Sequence, residues 1–349
     1  MGGKDKCKLL KDIREKIARE NDIEFESEEC TFEGDCCGTC PKCEEELRYL
    51  ENEINKKEGK VKDIFELDNS VVNGIFRQGE IQVKFKEDTN EIYELYGLPP
   101  MDYHDDLEGL PAPESDNLER RDEDINLFSI SRLRTFTDSE GVSTLVACTG
   151  CTLRCAYCIN PTSWDKSIEP HNFTVDELYD NVKRDNLYFL ATGGGIVFGG
   201  GEPLIYSDFI KEFIEKYKTT GWKFSLETSL STKTENLTQL IDLIDYFIVD
   251  IKDMDKNRYE LYTKCNHDLF VINLEFLANN VDVDKITIRV PRIPHLHQSN
   301  EAEANYEILK NMGFKNIEIF DYVDPESLQK LSDDALENKN NFIQSVESV

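Results

Sequence analysis

Six short apolar segments alternate with helix-like segments from residue 142 onward, and this alternation limits the possible folds more than any other feature. The segments are VSTLVAC, GGGIVFGGGEP, KFSLETS, DYFIVDIK, KITIRV and NIEIFDY. Helical patterns separate them, at 207–219, 235–244 and 302–312, and a capping box at Thr174–Glu177 opens another helix that carries Leu178, Val182 and Phe189. Repeated strand-then-helix units predict an α/β fold with a parallel sheet and right-handed crossovers, closed or partly closed.

The rest of the chain divides by composition. Residues 1–60 predict two helices around a cysteine-rich loop. Residues 61–127 predict a β-rich segment followed by an acidic, proline-containing linker. The α/β core occupies 128–325, and residues 326–349 form a polar tail.

Charge and cysteine content exclude several classes of protein. The formal net charge is −30, which disfavours binding to nucleic acids or to anionic membrane surfaces. No apolar stretch is long enough for a transmembrane helix, and the first residues lack a signal-peptide core. We therefore expect a cytoplasmic protein, where thiols stay reduced. The odd count of 11 cysteines then favours metal or cluster ligation over disulfides.

A CxxxCxxC motif, formed by Cys151, Cys155 and Cys158, follows the first of the six strands. Three thiolates in one loop hold three irons of a cubane cluster and leave the fourth iron open to a ligand. A structural zinc site usually needs four closed ligands. Cys148 belongs to the preceding strand and is interpreted as a small core side chain.

Polar and glycine-rich positions follow the later strands. GGGEP, Gly199–Pro203, lets the backbone approach a ligand, and Glu202 offers a carboxylate to a cationic amine. Asp250 and Lys252 share one face of an otherwise apolar strand, and Arg289 alternates with apolar neighbours. The carboxyl ends of barrel strands are where active sites are built.

These motifs together resemble the radical S-adenosylmethionine (SAM) superfamily, and within it the activating enzymes of glycyl radical enzymes, such as pyruvate formate-lyase activating enzyme. The resemblance runs over about 128–322, through SISRLRTFTDSEGVSTLVACTGCTLRCAYCINPTSWD, TGGGIVFGGGEPLIYSDFI and LIDYFIVDIKDMD. It implies a partial (β/α)6 TIM-like barrel, here preceded by a small helical cysteine-rich domain.

The resemblance also assigns residues. Cys151, Cys155 and Cys158 would ligate a [4Fe–4S] cluster whose open iron binds SAM. The remaining cofactor-binding positions would be Tyr157 near the adenine, Gly200, Gly201 and Glu202 at the amino end of the methionine moiety, and Asp250, Lys252 and Arg289 at ribose and carboxylate. No catalytic residue is expected beyond these cluster and cofactor ligands.

The implied reaction is reductive cleavage of SAM to a 5′-deoxyadenosyl radical that abstracts a hydrogen atom. In the activating enzymes the target is a glycine Cα of a partner enzyme. The electron donor would be of the flavodoxin or ferredoxin type.

Three departures from the activating enzymes stand out. Glu227 in SLETS replaces an aspartate, and the Asn-Gly that usually follows is missing. Val323 occupies the place of an expected histidine. Residues 159–198 contain no cysteine, whereas many activating enzymes insert a ferredoxin-like region there.

Extra cysteines lie near the amino terminus instead, at Cys30, Cys36, Cys40 and Cys43, with Cys37 to spare. Four thiolates within fourteen residues fit a second [4Fe–4S] cluster, or zinc. Cys7 and Cys265 are interpreted as incidental, and His295 and His297 as solvent-exposed.

Two other functions stay open at this point. One is a radical SAM enzyme that modifies a peptide or a small molecule. The other is a non-catalytic iron–sulfur protein for electron transfer, although a carrier has no need of the GGGEP and Asp-x-Lys motifs.

Overall fold

The computed structural model describes residues 3–27, 30, 39–57, 124–135, 138, 141–155, 157–164, 169–293 and 300–321. The predicted strands and linker within 61–123, the tail at 326–349, and Cys36, Cys37, His295, His297 and Val323 lie outside the described residues. Among the described helices, none combines the length and the apolar composition that a bilayer crossing requires.

The two predicted amino-terminal helices are present as α1 (Gly3–Glu20) and α2 (Pro41–Lys56). Their apolar residues recur every three or four positions and pack into one shared core that includes Leu10, Ile17, Leu47 and Leu50. Pro41 stands in the first turn of α2, where its missing N–H costs no hydrogen bond.

Helices α1 and α2 run parallel to each other. The Arg14 Nε donates to Glu46 Oε2 at 3.0 Å, and beyond the far ends Lys57 Nζ donates to the Asp22 carbonyl at 2.9 Å. Both helices therefore begin at the same end of the pair, which places Cys7 on the same side as Cys40 and Cys43.

A single eight-stranded sheet forms the core of the molecule. The strands are β1 (Ile125–Thr135), β2 (Val142–Cys148), β3 (His171–Phe173), β4 (Gly195–Gly200), β5 (Lys223–Thr228), β6 (Tyr246–Asp250), β7 (Ile286–Arg292) and β8 (Asn316–Asp321). Their order is β3-β1-β2-β4-β5-β6-β7-β8. The strands from β2 through β4 to β8 pair in parallel, whereas β1 is antiparallel to β2 and β3. The six predicted apolar segments are these parallel strands, so the partial (β/α)6 barrel is confirmed.

Helices cover the outer face of the sheet. They are α3 (Val175–Val182), α4 (Asn186–Thr192), α5 (Ser207–Tyr217), α6 (Thr234–Thr238), α7 (Lys256–Thr263), α8 (His267–Asn280) and α9 (Glu301–Asn311). The capping box at Thr174 and Glu177 forms as expected. The single helix predicted from there to Phe189 is wrong, because a 3-10 turn at Lys183–Asp185 separates α3 from α4. The predicted helix over 235–244 is only the short α6.

Alternation along the strands separates two packing layers. Inward-facing residues, including Leu145, Val197 and Ile248, form a small apolar cluster inside the barrel. Outward-facing residues, including Val146, Phe198 and Val249, pack against the helices in the main core. The outer layer carries most of the burial, and the inner layer adjoins the polar groups described below.

Helices α1 and α2, here called the helical pair, pack against the outside of the barrel. Arg132 of β1 donates to Glu44 of α2 at 2.7 Å and to Asp185 at 2.6 Å. Arg14 Nη1 donates to the Tyr188 hydroxyl at 2.5 Å, and Val142 shares the core of the helical pair. The contacts therefore involve the first half of β2 and the α4 region.

Candidate functional site

Two loops meet at the carboxyl ends of β2 and β4. The register pairs Cys148 with Gly200, so the cysteine-bearing loop and the GGGEP turn leave the sheet side by side. The N–H of Gly201 donates to the Cys148 carbonyl, and the N–H of Glu202 donates to the Gly150 carbonyl, both at 2.9 Å. Hydrogen bonds thus join the two loops backbone to backbone.

The glycines of the turn are required by this close approach. Gly200 has φ +91°, which side-chain-bearing residues rarely adopt. A Cβ on Gly201 would lie 2.0 Å from the Gly150 carbonyl oxygen. Packing between the loops therefore accounts for these two glycines without a ligand, and both glycines line a cavity.

The three thiols of the CxxxCxxC motif line one cavity. The predicted site residues that line it are Cys151, Cys155, Cys158, Tyr157, Gly200, Gly201, Asp250 and Lys252. These positions span 102 residues of sequence, from Cys151 to Lys252, and the parallel strands bring them together.

Burial disfavours the thiolate form of the three cysteines. It raises the pKa of Cys151 to about 12, and it also raises the pKa values of Cys155 and Cys158. A metal or cluster takes cysteine as the thiolate, so ligation here would release protons.

Lys252 supplies a positive charge beside the thiols. Its Nζ lies 2.7 Å from Asp250 Oδ2, as expected for side chains that share one face. Burial disfavours the charged form of Lys252 and by itself would lower its pKa. The effects of Asp250 and Cys155 together outweigh burial and raise the pKa of Lys252. The Tyr157 hydroxyl donates to the Lys252 carbonyl at 3.4 Å, which ties the cysteine loop to the end of β6.

Glu202 is not among the described residues that line the cavity. The side chain is fully buried, and both oxygens accept two hydrogen bonds each, from Leu204 N, Thr228 Oγ1, Ser229 N and Ser229 Oγ. Burial raises the pKa of Glu202. The carboxylate joins the turn after β4 to the end of β5, and the contact of Glu202 with a cofactor amine stays a prediction.

Arg289 is likewise not among the described residues that line the cavity. Its Nη1 donates to Glu227 Oε1 at 3.0 Å, and its Nη2 lies 3.9 Å from Asp138 Oδ1. Asp138 is itself held by Arg134 at 2.6 Å. Glu227, the partner of Arg289, does line the cavity. Burial raises the pKa of Glu227, although Arg289 opposes the shift.

Several cavity residues were not predicted from the sequence. Besides Glu227, they are Leu153, Ile159, Asn160, Ser163, Thr228, Ser229, Pro291 and Phe320. Their positions in the sequence could have identified most of them, because they directly follow the cysteines or lie at the carboxyl end of a strand.

A cluster with a bound cofactor fits the residues present. Within the described part of the chain, no three His, Cys, Asp or Glu side chains are arranged to hold a single metal ion, yet three thiols line one cavity. Ser163 also lines this cavity, and its Oγ is buried without a hydrogen-bond partner among the described residues. A buried hydroxyl of this kind normally has a partner, which a ligand would supply.

The cysteines outside this cavity fall into two groups. Burial is the main cause that raises the pKa of Cys43 to about 12. A hydrogen bond with Cys40 and the proximity of Cys40 and Cys7 also raise it. The proximity of Cys7 was not predicted from sequence. Cys148 is fully buried in the main core, as expected, and Cys265 Sγ donates to the Thr152 carbonyl at 3.1 Å.

A comparison with protein families matches residues 145–320 to the radical SAM superfamily, and the chain belongs to this superfamily. Membership implies a [4Fe–4S] cluster and SAM, and it makes the chain an enzyme rather than an electron carrier. Individual relatives are similar over about half of the chain.

The chain is 32% identical over 185 residues to the pyruvate formate-lyase-activating enzyme of Clostridium pasteurianum, covering 52% of this chain and 74% of that enzyme. It is 25% identical over 241 residues to the 4-hydroxyphenylacetate decarboxylase activating enzyme of Clostridioides difficile (strain 630), covering 51% of this chain and 73% of that enzyme. Among solved structures, SuiB of Streptococcus suis bound to S-adenosylmethionine shares 12% identity at a TM-score of 0.41, over 57% of this chain and 45% of SuiB.

Proposed function

We propose that this chain is an activating enzyme that installs a glycyl radical on a partner enzyme. The observation that carries the proposal is the single cavity shared by three loop thiols, the Gly200–Gly201 turn and Lys252. Similarity of 25 to 32% to activating enzymes supports the choice of target.

Cys151, Cys155 and Cys158 would hold the cluster. The carbonyls of the Gly200–Gly201 turn would accept from the SAM amino group, and Lys252 would face its carboxylate. Asp250 and Glu227 would accept from ribose hydroxyls, and Tyr157 would contact the adenine. When bound, cluster and SAM supply the electron and the radical that removes a hydrogen atom from the target.

The chain's own residues position and shield these groups. Leu153, Cys155 and Tyr157 are buried around the cavity, and the Tyr157 ring meets Tyr262 edge to face at a centroid distance of 6.0 Å. Such a wall excludes water from the reacting centre. The buried contacts of Glu202 and Arg289 keep the ends of β4, β5 and β7 in register.

We further propose that Cys30, Cys36, Cys40 and Cys43 hold a second [4Fe–4S] cluster or zinc. The support is the contact between Cys40 and Cys43 at the start of α2, together with the Arg14 Nη2 donor 3.8 Å from Cys43 Sγ. Iron and zinc analysis of the purified protein separates the two metals.

Anaerobic reconstitution tests the proposed function. Protein loaded with iron and sulfide is reduced by dithionite or by a flavodoxin or ferredoxin in the presence of SAM, and 5′-deoxyadenosine is measured. The Cys155→Ala variant should lose the cluster and at least 100-fold of this cleavage. The matched Cys148→Ala variant should keep both, because Cys148 faces the outer core.

The partner is tested by electron paramagnetic resonance. A glycyl radical signal should form on a glycyl radical enzyme encoded next to this gene, in proportion to the 5′-deoxyadenosine produced. Cleavage without a glycyl signal on any such partner contradicts the activating function and favours a peptide or small-molecule substrate, which mass spectrometry of co-expressed peptides would then identify.

A further inference from the structure

Arg14 places a charged group inside the apolar core that α1 and α2 share. Its side chain is 0% exposed, and its neighbours on α1 in this core include Leu10 and Ile17. Burying a guanidinium is unfavourable unless its charge and its N–H donors are compensated. The partners of the guanidinium therefore indicate why a cation is placed here.

Three side chains surround the Arg14 guanidinium. Its Nε and Nη2 lie 3.0 and 2.9 Å from Glu46 Oε2, and its Nη1 donates to the Tyr188 hydroxyl at 2.5 Å. Its Nη2 also donates to Cys43 Sγ at 3.8 Å. Glu46 Oε2 accepts from Ser27 Oγ as well, at 2.8 Å, so this carboxylate is not reserved for the guanidinium.

The donor that faces Cys43 is better matched to a metal-bound sulfur than to a free thiol. Cys43 lies in the first turn of α2 and is buried, so water does not take the place of this contact. A neutral thiol is only a weak acceptor, whereas a thiolate accepts a strong, charge-assisted hydrogen bond from a guanidinium. Several thiolates around one metal ion or cluster also leave an excess of negative charge, which a buried cation offsets.

We propose that Arg14 is a positioning residue of the amino-terminal metal site, where its guanidinium donates to the Cys43 sulfur and offsets the charge of the metal-bound thiolates. The inference rests on the metal site proposed above for the amino-terminal cysteines, and it is independent of the radical chemistry in the barrel. Arg14 fixes the direction of one ligand sulfur without binding the metal itself. Because its Nη1 holds Tyr188 of α4, the same guanidinium links this ligand to the barrel.

The first test uses Co²⁺ as the probe metal. The full-length protein carries Cys151→Ala, Cys155→Ala and Cys158→Ala, so that the barrel thiols cannot bind the probe. Absorption spectroscopy follows the sulfur-to-cobalt charge-transfer band, and competition with a chelator gives the Kd. Adding Arg14→Met should shift the band to longer wavelength, because a sulfur that loses a donor gives up its electrons more easily. It should also weaken Co²⁺ binding about 10-fold or more.

Two further variants complete this comparison. Arg19→Met is the matched control, because it removes the same charge from an exposed position on α1, and it should keep both the band and the Kd. Arg14→Lys retains the charge without the forked donor, so its band and Kd should lie between those of Arg14→Met and those of the protein with Arg14.

The second test needs no substitution at Arg14. The same full-length protein, labelled with ¹⁵N-arginine and loaded with ¹¹³Cd²⁺, should show scalar coupling between the metal and a guanidinium proton in its NMR spectrum. Such coupling passes through a hydrogen bond to a ligand sulfur, and Arg14→Lys should abolish it.

The outcomes separate the inference from the proposals on which it depends. A cadmium-loaded protein without this coupling, or an Arg14→Met protein with the band and Kd of Arg19→Met, overturns the inference and leaves the metal site standing. A protein that binds neither Co²⁺ nor Cd²⁺ overturns both. If Arg14→Met does not fold, the cadmium spectrum decides alone. Formation of 5′-deoxyadenosine by protein with intact barrel cysteines tests the activating function separately.

Discussion

The buried carboxylate of Glu202 shows how one side chain can organise the whole carboxyl edge of the sheet. Its oxygens receive donors from its own turn and from Thr228 and Ser229 at the end of β5, at distances of 2.6 to 3.2 Å. Because the carboxylate is fully buried, water cannot replace any of these partners. Stability and cavity shape therefore depend on the same residue.

Replacing Glu202 tests this role. Glu202→Ala leaves several buried donors unsatisfied, each of which costs about 1–3 kcal/mol, so we expect a loss of at least about 3 kcal/mol in the free energy of unfolding. Denaturant titration of the metal-free protein measures it. Glu215→Ala, on the exposed face of α5, should change stability by less than about 0.5 kcal/mol. Equal effects of the two variants would contradict the assigned role.

At the level of residues, the sequence predicted several members of the site but not the contacts between their side chains. The cysteine spacing and the Asp250–Lys252 pair were identified, because short motifs carry local information. The partners of Glu202 lie 26 and 27 residues away, and Arg289 meets Glu227 across 62 residues. Only the strand register determines which of these charged groups faces the cavity and which faces another side chain.

At the scale of elements, the contact between the cysteine loop and the GGGEP turn leaves no room for a larger side chain at Gly201. A methyl group at Gly201 would collide with the backbone of Gly150, which cannot rotate away as a side chain can. Gly193, after α4, differs in that a methyl group there meets nothing within 4 Å and carries only the strain of φ +70°.

The two glycines give a matched pair of variants. Gly201→Ala should destabilise the protein by about 3 kcal/mol or more and reduce cluster content, because two backbones must separate. Gly193→Ala should cost only about 1–2 kcal/mol and leave cluster content unchanged. Thermal unfolding and iron analysis compare them. A Gly201→Ala protein that matches Gly193→Ala in both measurements would show that the loops can move apart.

His267, the first residue of α8, makes this helix sensitive to acid. Its ring packs against Tyr259 and Phe270 at centroid distances of 5.0 and 5.7 Å. Burial lowers its pKa from the usual 6.5, although Asp268 and Glu260 oppose the shift and Lys256 adds to it. The start of a helix also disfavours a positive charge.

The sign of the pH effect follows from the lowered pKa. The unfolded chain binds a proton at His267 more readily than the folded chain, so stability falls as the pH drops below about 6.5 and this contribution is fully present above it. The midpoint of thermal unfolding should therefore decline less between about pH 7 and pH 5.5 in His267→Gln than in the wild type. Parallel slopes for the two proteins would contradict this assignment.

Element boundaries were predictable where the pattern was strictly periodic. The six parallel strands and helices α1, α2, α5 and α9 agree with the sequence pattern. The break between α3 and α4 was not predictable, since Asp185 is placed there by Arg132 and Thr144, at distances of 2.6 and 3.0 Å across 53 and 41 residues. A tertiary ion pair thus overrides a continuous helical periodicity.

For the whole molecule, Arg132 is the main polar link between the helical pair and the barrel. Its side chain is 12% exposed and bridges Glu44 of α2 to Asp185, whose carboxylate is fully buried. The link spans 88 residues on the α2 side, and sequence patterns give no indication of it.

Removing this bridge should loosen the two units. Arg132→Ala leaves Asp185 buried without its cation, and breaking a buried pair in this way costs about 3–5 kcal/mol. Denaturant unfolding gives the loss, and limited proteolysis should release the amino-terminal segment faster than in the wild type. Arg292→Ala removes an exposed cation that pairs with Glu303 and Asp321, and should cost less than about 1 kcal/mol. Comparable losses in both variants would argue against Arg132 as the link.

The helical pair lies away from the cavity, and this separation has a consequence for binding. The pair contacts Val142 at the amino end of β2, whereas the cavity opens beyond Cys148, about 20 Å further along that strand. A molecule bound to the outer surface of the helical pair would therefore not cover the mouth of the cavity.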